Sequence, residues 1–193
     1  TEGRPVAGVV VTDGLNTVKT DAKGRFRMDA DDDSRFVYIS TPSGYVSATL
    51  EGKTLFYKEI SEDIRKYDFI VRKNEKDDTS HNLIVIADPQ ISERSELPEL
   101  QKHADDITAF VGQYDKDYTF GLCLGDIVGW DHSIYPEYNR IMNGSGFEYR
   151  YVIGNHDMTN YGRSFETSMK NYEDMYGPCW YSFNVGNVHY IVL

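Results

Sequence analysis

Three short apolar runs each end in a polar cluster: Ala87-Asp88-Pro89-Gln90, Gly125-Asp126 and Gly154-Asn155-His156-Asp157. The residue types suit a metal centre. Asp88 and Asp126 offer anionic oxygens, Gln90 and Asn155 neutral amide oxygens, and His156 an imidazole. A carboxylate held between two subsites can bridge two cations. Cations about 3.5–4 Å apart can bind a phosphate, lower the pKa of a water, and stabilise both the attacking and the leaving oxygen. Asp126, from the middle cluster, is the expected bridge. Each cluster alone also reads as a turn or a loop start, with His156 then a solvated side chain. Their order, each after a strand-like run, joins three weak signals into one hypothesis.

The surrounding pattern supplies the frame for such a centre. Asn82–Ala87, Tyr118–Leu124 and Tyr149–Ile153 read as buried strands. Between the first two, Leu97, Leu100, Ala104, Ile107 and Val111 recur at spacings of three and four, which predicts a helix. Ser133–Met142 reads as a second helix, with Pro136 in its first turn and Asn143-Gly144 ending it, and Phe165–Tyr176 as a third. Alternating strands and helices imply a parallel sheet, in which residues beyond the carboxyl ends of neighbouring strands share one crevice. Trp180–Val185 and Val188–Leu193, joined at Gly186-Asn187, read as a hairpin.

The first seventy-odd residues have a different grammar. Val6–Val11, the alternation around Phe26 and Met28, Phe36–Ser40 and Tyr67–Val71 are short strand candidates. Asp13-Gly14, Lys23-Gly24 and Pro42-Ser43-Gly44 are turn signals between them, so a small β-sandwich is expected. Residues 72–81 are polar and charged, as in a linker. Residues 1–80 hold 13 Lys/Arg against 15 Asp/Glu, whereas residues 81–193 hold 7 against 16. The second half therefore has no basic footprint for nucleic acid. The apolar runs are too short to span a bilayer, and no charged start with an apolar stretch and cleavage site is present. Of the two cysteines, Cys123 lies in an apolar run and is expected to be a buried, inert thiol.

The series Asp88-Pro89-Gln90, Gly125-Asp126, Gly154-Asn155-His156-Asp157 resembles the amino-terminal motifs of calcineurin-like metallophosphoesterases, over residues 82–193. The stretch from Gly3-Arg4-Pro5-Val6 through Thr20-Asp21-Ala22-Lys23-Gly24-Arg25-Phe26 to Thr41-Pro42-Ser43-Gly44-Tyr45 resembles carboxypeptidase-regulatory-like, transthyretin-type sandwich domains. Such a module precedes the phosphoesterase domain in some bacterial members. The resemblance implies two domains. Residues 1–75 would be an all-β sandwich, and residues 82–193 the first half of a four-layer αββα phosphoesterase domain. It also implies two divalent metal ions (Mn, Fe, Zn or Mg). Asp88 and Gln90 would bind the first, Asp126 would bridge, and Asn155 would bind the second. His156 would face the phosphate or leaving group, with Asp157 orienting it.

The activity so implied is hydrolysis of a phosphorylated small molecule or phosphodiester, by in-line attack of a metal-bridging hydroxide. The resemblance suggests a secreted or periplasmic bacterial protein. Two departures qualify it. The first is Gln90, which stands where the family usually has histidine and shifts preference toward Mn²⁺ or Mg²⁺; Gly129, where purple acid phosphatases place a metal-binding tyrosine, argues only against that subgroup. The family also completes its site with later histidines, and after His156 there is only His189, in a run that reads as a core strand. These 193 residues are thus expected to hold a partial site and to be inactive alone. A non-catalytic scaffold and a degenerate phosphoesterase are the alternatives. A half-built sheet would also expose an edge, so self-association is expected. Asp131-His132 is expected to be a solvated loop, with a place in the crevice as a phosphate or supporting contact the alternative, and Trp130 either a substrate wall or packing.

Overall fold

Asp13 and Gly14 turn the chain between β1 (Val10–Thr12) and β2 (Thr17–Lys19) of the computed structural model, which describes residues 3–50, 53–114 and 116–193. The Asp13 carboxylate accepts from the backbone N–H of Leu15 (2.9 Å), Asn16 (2.6 Å) and Asp31 (2.9 Å), and from the Asn16 amide (3.1 Å). Antiparallel pairing continues from β1 to β3 (Phe36–Ser40), whose five residues are all buried. The strands β4 (Tyr45–Ser47), β5 (Thr49–Leu50), β6 (Lys53–Thr54), β7 (Tyr57–Glu59) and β8 (Val71–Lys73) follow. They complete a four-stranded sheet β2-β1-β3-β7, a β4-β8 ladder and a β5-β6 hairpin.

Two expected strands differ from this. The Phe26–Met28 alternation forms no strand; Phe26 packs on Phe69 (6.3 Å between ring centroids) without a ladder. Residues 67–70 are irregular and the ladder begins only at Val71; the Tyr67 hydroxyl accepts from the Ser61 backbone N–H (2.9 Å).

The second half alternates as the sequence does: β9 (His81–Ile86), α1 (Leu97–Val111), β10 (Tyr118–Leu124), α2 (Tyr135–Asn143), β11 (Tyr149–Val152) and α3 (Phe165–Tyr176). A 3-10 turn, His132–Ile134, leads into α2, with Asp131 capping it through Ser133. The three strands form a parallel sheet, β11-β10-β9. Its core draws Leu100 and Ala104 from α1, Tyr138 and Ile141 from α2, Cys123 and Tyr151 from the sheet, and Tyr172 and Tyr176 from α3. Gly121 is glycine because a Cβ there would lie 2.2 Å from the Tyr149 ring. Both cysteines are free and buried, and burial pushes the Cys123 thiol up to about 12. Among the described residues no helix is long and apolar enough to cross a membrane.

The chain divides into two units, one of Thr1–Ala48, Leu55–Thr79 and Trp180–Leu193, the other of Thr49–Thr54 and Ser80–Cys179. The hairpin of β12 (Tyr181–Val185) and β13 (Val188–Val192), which the sequence places after the α/β segment, packs in the first unit. Phe183 bridges to Thr41, the Asn184 N–H donates to the Thr41 carbonyl (2.9 Å), and Tyr181 packs on Phe56 (4.8 Å). His189 is exposed there and bonds Asn184 (2.8 Å), so it lies on a surface strand rather than against a helix layer.

Burial alone would raise the Asp13 carboxyl, but the bonds from Asn16, Asp31 and Leu15 outweigh it and lower the pKa from 3.8 to about 2. The folded value lies below the unfolded one, so the stability it contributes is present above pH 3.8 and lost as pH falls toward 2. Asp13→Ala should cost about 1–3 kcal/mol at pH 7. It should also flatten the pH dependence of urea unfolding across that acid window.

Candidate functional site

The three polar clusters follow β9, β10 and β11, and these strands are direct neighbours with β10 in the middle. Their carboxyl ends therefore open on one side of a single parallel sheet. Pairing also extends past the strands. The Gln90 N–H donates to the Asp126 carbonyl (2.7 Å), the Gly129 N–H donates to the Ile91 carbonyl (2.8 Å), and Ile91 bridges Val128. The loops after β9 and β10 are thus zipped together along their backbones.

Backbone conformation singles out the same positions. Among the described residues, the non-glycine residues with positive φ are Asp88 (φ 53°), Gln90 (φ 44°) and Asp126 (φ 48°). Left-handed backbone is unfavourable for a residue with a Cβ, at roughly 1–3 kcal/mol each, and such strain gathers at functional sites. Aspartate adopts this conformation more readily than most residues with a Cβ, so the strain is greatest at Gln90.

Glycines let the second and third clusters interlock. Gly125 (φ 82°) lies against Gly154, and a Cβ on it would sit 2.9 Å from the Gly154 backbone. A Cβ on Gly154 would lie 2.1 Å from Asp126 Oδ1. That oxygen accepts the His156 backbone N–H (2.8 Å), which ties the middle cluster to the last. Gly129 has its own reason to be glycine: a Cβ there would lie 2.7 Å from Ser92 Oγ. A tyrosine at this position is excluded by that contact.

Asp157 is fully buried and acts on backbone and phenol rather than on the His156 ring. Its carboxylate accepts from the N–H of Ile127 (3.1 Å) and Gly154 (2.9 Å) and from the Tyr135 hydroxyl (2.9 Å). Burial raises its pKa; the bonds from Gly154, Tyr135 and Ile127 work against that shift, and the Asp126 charge adds to it. Burial also raises the Tyr135 phenol, with the Asp157 charge second. The orienting role expected of Asp157 is thus replaced by a structural tie between two loops. His156 Nδ1 is buried without a hydrogen-bond partner.

Other residues do meet His156. Its ring lies against Trp130 (4.2 Å between centroids, 42°), and Trp130 is 54% exposed. Its carbonyl accepts from His132 Nε2 (2.8 Å), while His132 Nδ1 pairs with the Asn171 amide (2.9 Å). His132 is half-buried and stacks on Tyr135 (5.3 Å, 10°), so it is not the solvated loop residue its sequence suggests. Arg94 is engaged by Glu137 (2.8 Å), Asp131 (3.4 Å) and Ser133 (3.1 Å), which pins the first loop to the start of α2.

Asp88 and Asn155 are exposed, Gln90 and Asp126 partly buried. Among the described residues no group of three His, Cys, Asp or Glu side chains is arranged to hold a metal ion. The expected ligand set contains two carboxylates and two amides, an all-oxygen set suited to Mn²⁺ or Mg²⁺.

Comparison with known proteins bears on the other end of the chain. The family model of the N terminal of calcineurin-like phosphoesterase matches residues 1–74. The amino-terminal region is therefore similar to the N-terminal domain of calcineurin-like phosphoesterases. That match shares no residue with the Asp88–Asp157 motifs, which resemble the same family. Neither the curated proteins nor the solved structures give a match to the chain.

Removing the Tyr135 hydroxyl tests the buried tie. Tyr135→Phe keeps the ring but leaves Asp157 one donor short, and should cost about 1.5–3 kcal/mol in urea unfolding. An unchanged midpoint would show that the phenol does not support this loop.

Proposed function

We propose that the chain carries the first part of a metal-dependent phosphoester hydrolase site, held by residues 82–193 in the manner of the αββα phosphoesterases. The observation that carries this reading is the left-handed backbone at Asp88, Gln90 and Asp126, three of the four expected ligands, at the ends of adjacent parallel strands. Backbone of this kind gathers at functional sites, and here it falls on residues whose types suit a cation.

In this reading Asp88 and Gln90 would hold one divalent cation and Asn155 another, with Asp126 contributing to both. The bound cations would supply charge to a phosphoryl oxygen and activate water. The protein's own part is positioning. Asp126 uses Oδ1 to fix the His156 backbone, while His156, backed by Trp130, stabilises or protonates the leaving oxygen. The acidic balance of residues 81–193 suits a site whose phosphate affinity comes from cations rather than from lysine or arginine.

A second reading is a cation-binding but non-catalytic module. The observation favouring it is the donor set: among the described residues no group of three His, Cys, Asp or Glu side chains is arranged to hold a metal ion. Mn²⁺ titration by calorimetry and hydrolysis of bis(p-nitrophenyl) phosphate separate the two. Both readings expect Mn²⁺ binding that Asp126→Asn weakens by about tenfold or more. Turnover lost with that binding supports the hydrolase, and binding without turnover supports the module. Equal behaviour of wild type and Asp126→Asn would sink both.

Self-association is part of the same proposal. Leu83, Val85 and Leu124 lie exposed on the parallel sheet, a kind of sheet normally covered on both faces. A second copy would cover this face, and a monomer mass in light scattering at micromolar concentration would count against it.

A further inference from the structure

Among the described residues no hydrogen-bond partner meets His156 Nδ1, which is buried, and the neighbouring Asp157 is taken up by Ile127, Gly154 and Tyr135. The orientation of His156 must come from its backbone and from the Trp130 ring beside it. The backbone is held at both ends: the N–H donates to Asp126 Oδ1 (2.8 Å), and the carbonyl receives His132 Nε2 (2.8 Å).

The His132 contacts select one tautomer. A carbonyl can only accept, so Nε2 must carry the proton that points at the His156 carbonyl. In the neutral ring Nδ1 is then an acceptor, and the Asn171 amide NH₂ at 2.9 Å supplies its donor. The ring is further held by stacking on Tyr135. Tyr135 and His132 thus stand side by side at the start of α2. The first donates to the Asp157 carboxylate and the second to the His156 carbonyl, so one short segment secures both residues of the turn.

Building on the phosphoesterase reading, we propose that His132 is a positioning residue. Locked by Asn171 as the Nε2–H tautomer, it fixes the backbone of His156 and so the placement of the His156 ring against Trp130. It does not touch substrate or cation in this role. The device also couples α3, which carries Asn171, to the candidate site across 39 residues of sequence.

The test uses ¹⁵N-resolved NMR of the whole chain. Wild type should show His132 as the Nε2–H tautomer and one sharp His156 amide signal. His132→Phe, which stacks but cannot donate, should broaden or split that signal and weaken the Mn²⁺ response by about tenfold. His132→Gln, whose amide can reach the same carbonyl, should restore both to near the wild-type values. Asn171→Leu is an exposed substitution that threatens folding less, and it should convert His132 to a tautomer mixture.

An Nδ1–H tautomer in wild type overturns the proposal. So does a His132→Phe protein whose His156 signal and Mn²⁺ response match wild type, or a Gln variant that behaves like Phe. A wild type that ignores Mn²⁺ refutes the phosphoesterase reading instead. The tautomer and the His156 amide signal would still decide the role of His132.

Discussion

The Asp157 carboxylate sits with no solvent access and gathers three donors from three places: the loop after β10, the loop after β11, and the first turn of α2. A buried charge of this kind is costly unless hydrogen-bonded, and losing one donor leaves the rest of the cost in place. The two loops therefore cannot drift apart without exposing an unmet carboxylate. Everything else at the sheet end follows from that tie. Gly125 and Gly154 are pressed together, Asp126 Oδ1 reaches the His156 amide, and the strained Asp126 backbone is kept in place.

Strain and cohesion balance here in a recognisable way. Three left-handed non-glycine residues cost of order several kcal/mol together. The offsetting contacts are the backbone zip between residues 90–91 and 126–129, the Asp157 bonds, and the aromatic-rich core behind them. The core takes most of its large side chains from α1, α2, α3 and the sheet, and Ile91, Ile127 and Val128 anchor the cluster-bearing loops in it. A rigid support with a strained rim is the arrangement that holds ligand-bearing side chains in one geometry.

Much of this was legible in the sequence. Tyr118–Leu124 and Phe165–Tyr176 have the bounds their patterns suggest, because a mainly apolar run and an amphipathic stretch are local signals. The Asp13-Gly14 turn was equally clear, since its carboxylate bonds within three residues along the chain as well as to Asp31. Signals of medium range were read less well. Phe26–Met28 alternates as a strand should but finds no partner, and alternation says nothing about whether a ladder is available. His132 looked solvated because both of its partners, the His156 carbonyl and Asn171, are more than twenty residues away.

The sequence by itself determined the types of the elements, the three polar clusters and their order, because side-chain period and turn chemistry act over a few residues. Turn spacing pointed to the β-rich character of the amino-terminal region, and residues 1–74 match the family model of the N terminal of calcineurin-like phosphoesterase. Only the tertiary structure decided which strands are neighbours, which carboxylate ties the loops, and where the backbone is forced left-handed. It also decided that the last hairpin joins the first unit through Thr41 and Phe183, 142 residues apart. Those outcomes depend on surfaces that exist only once distant segments have packed, and no local pattern encodes which of several compatible faces a strand will meet.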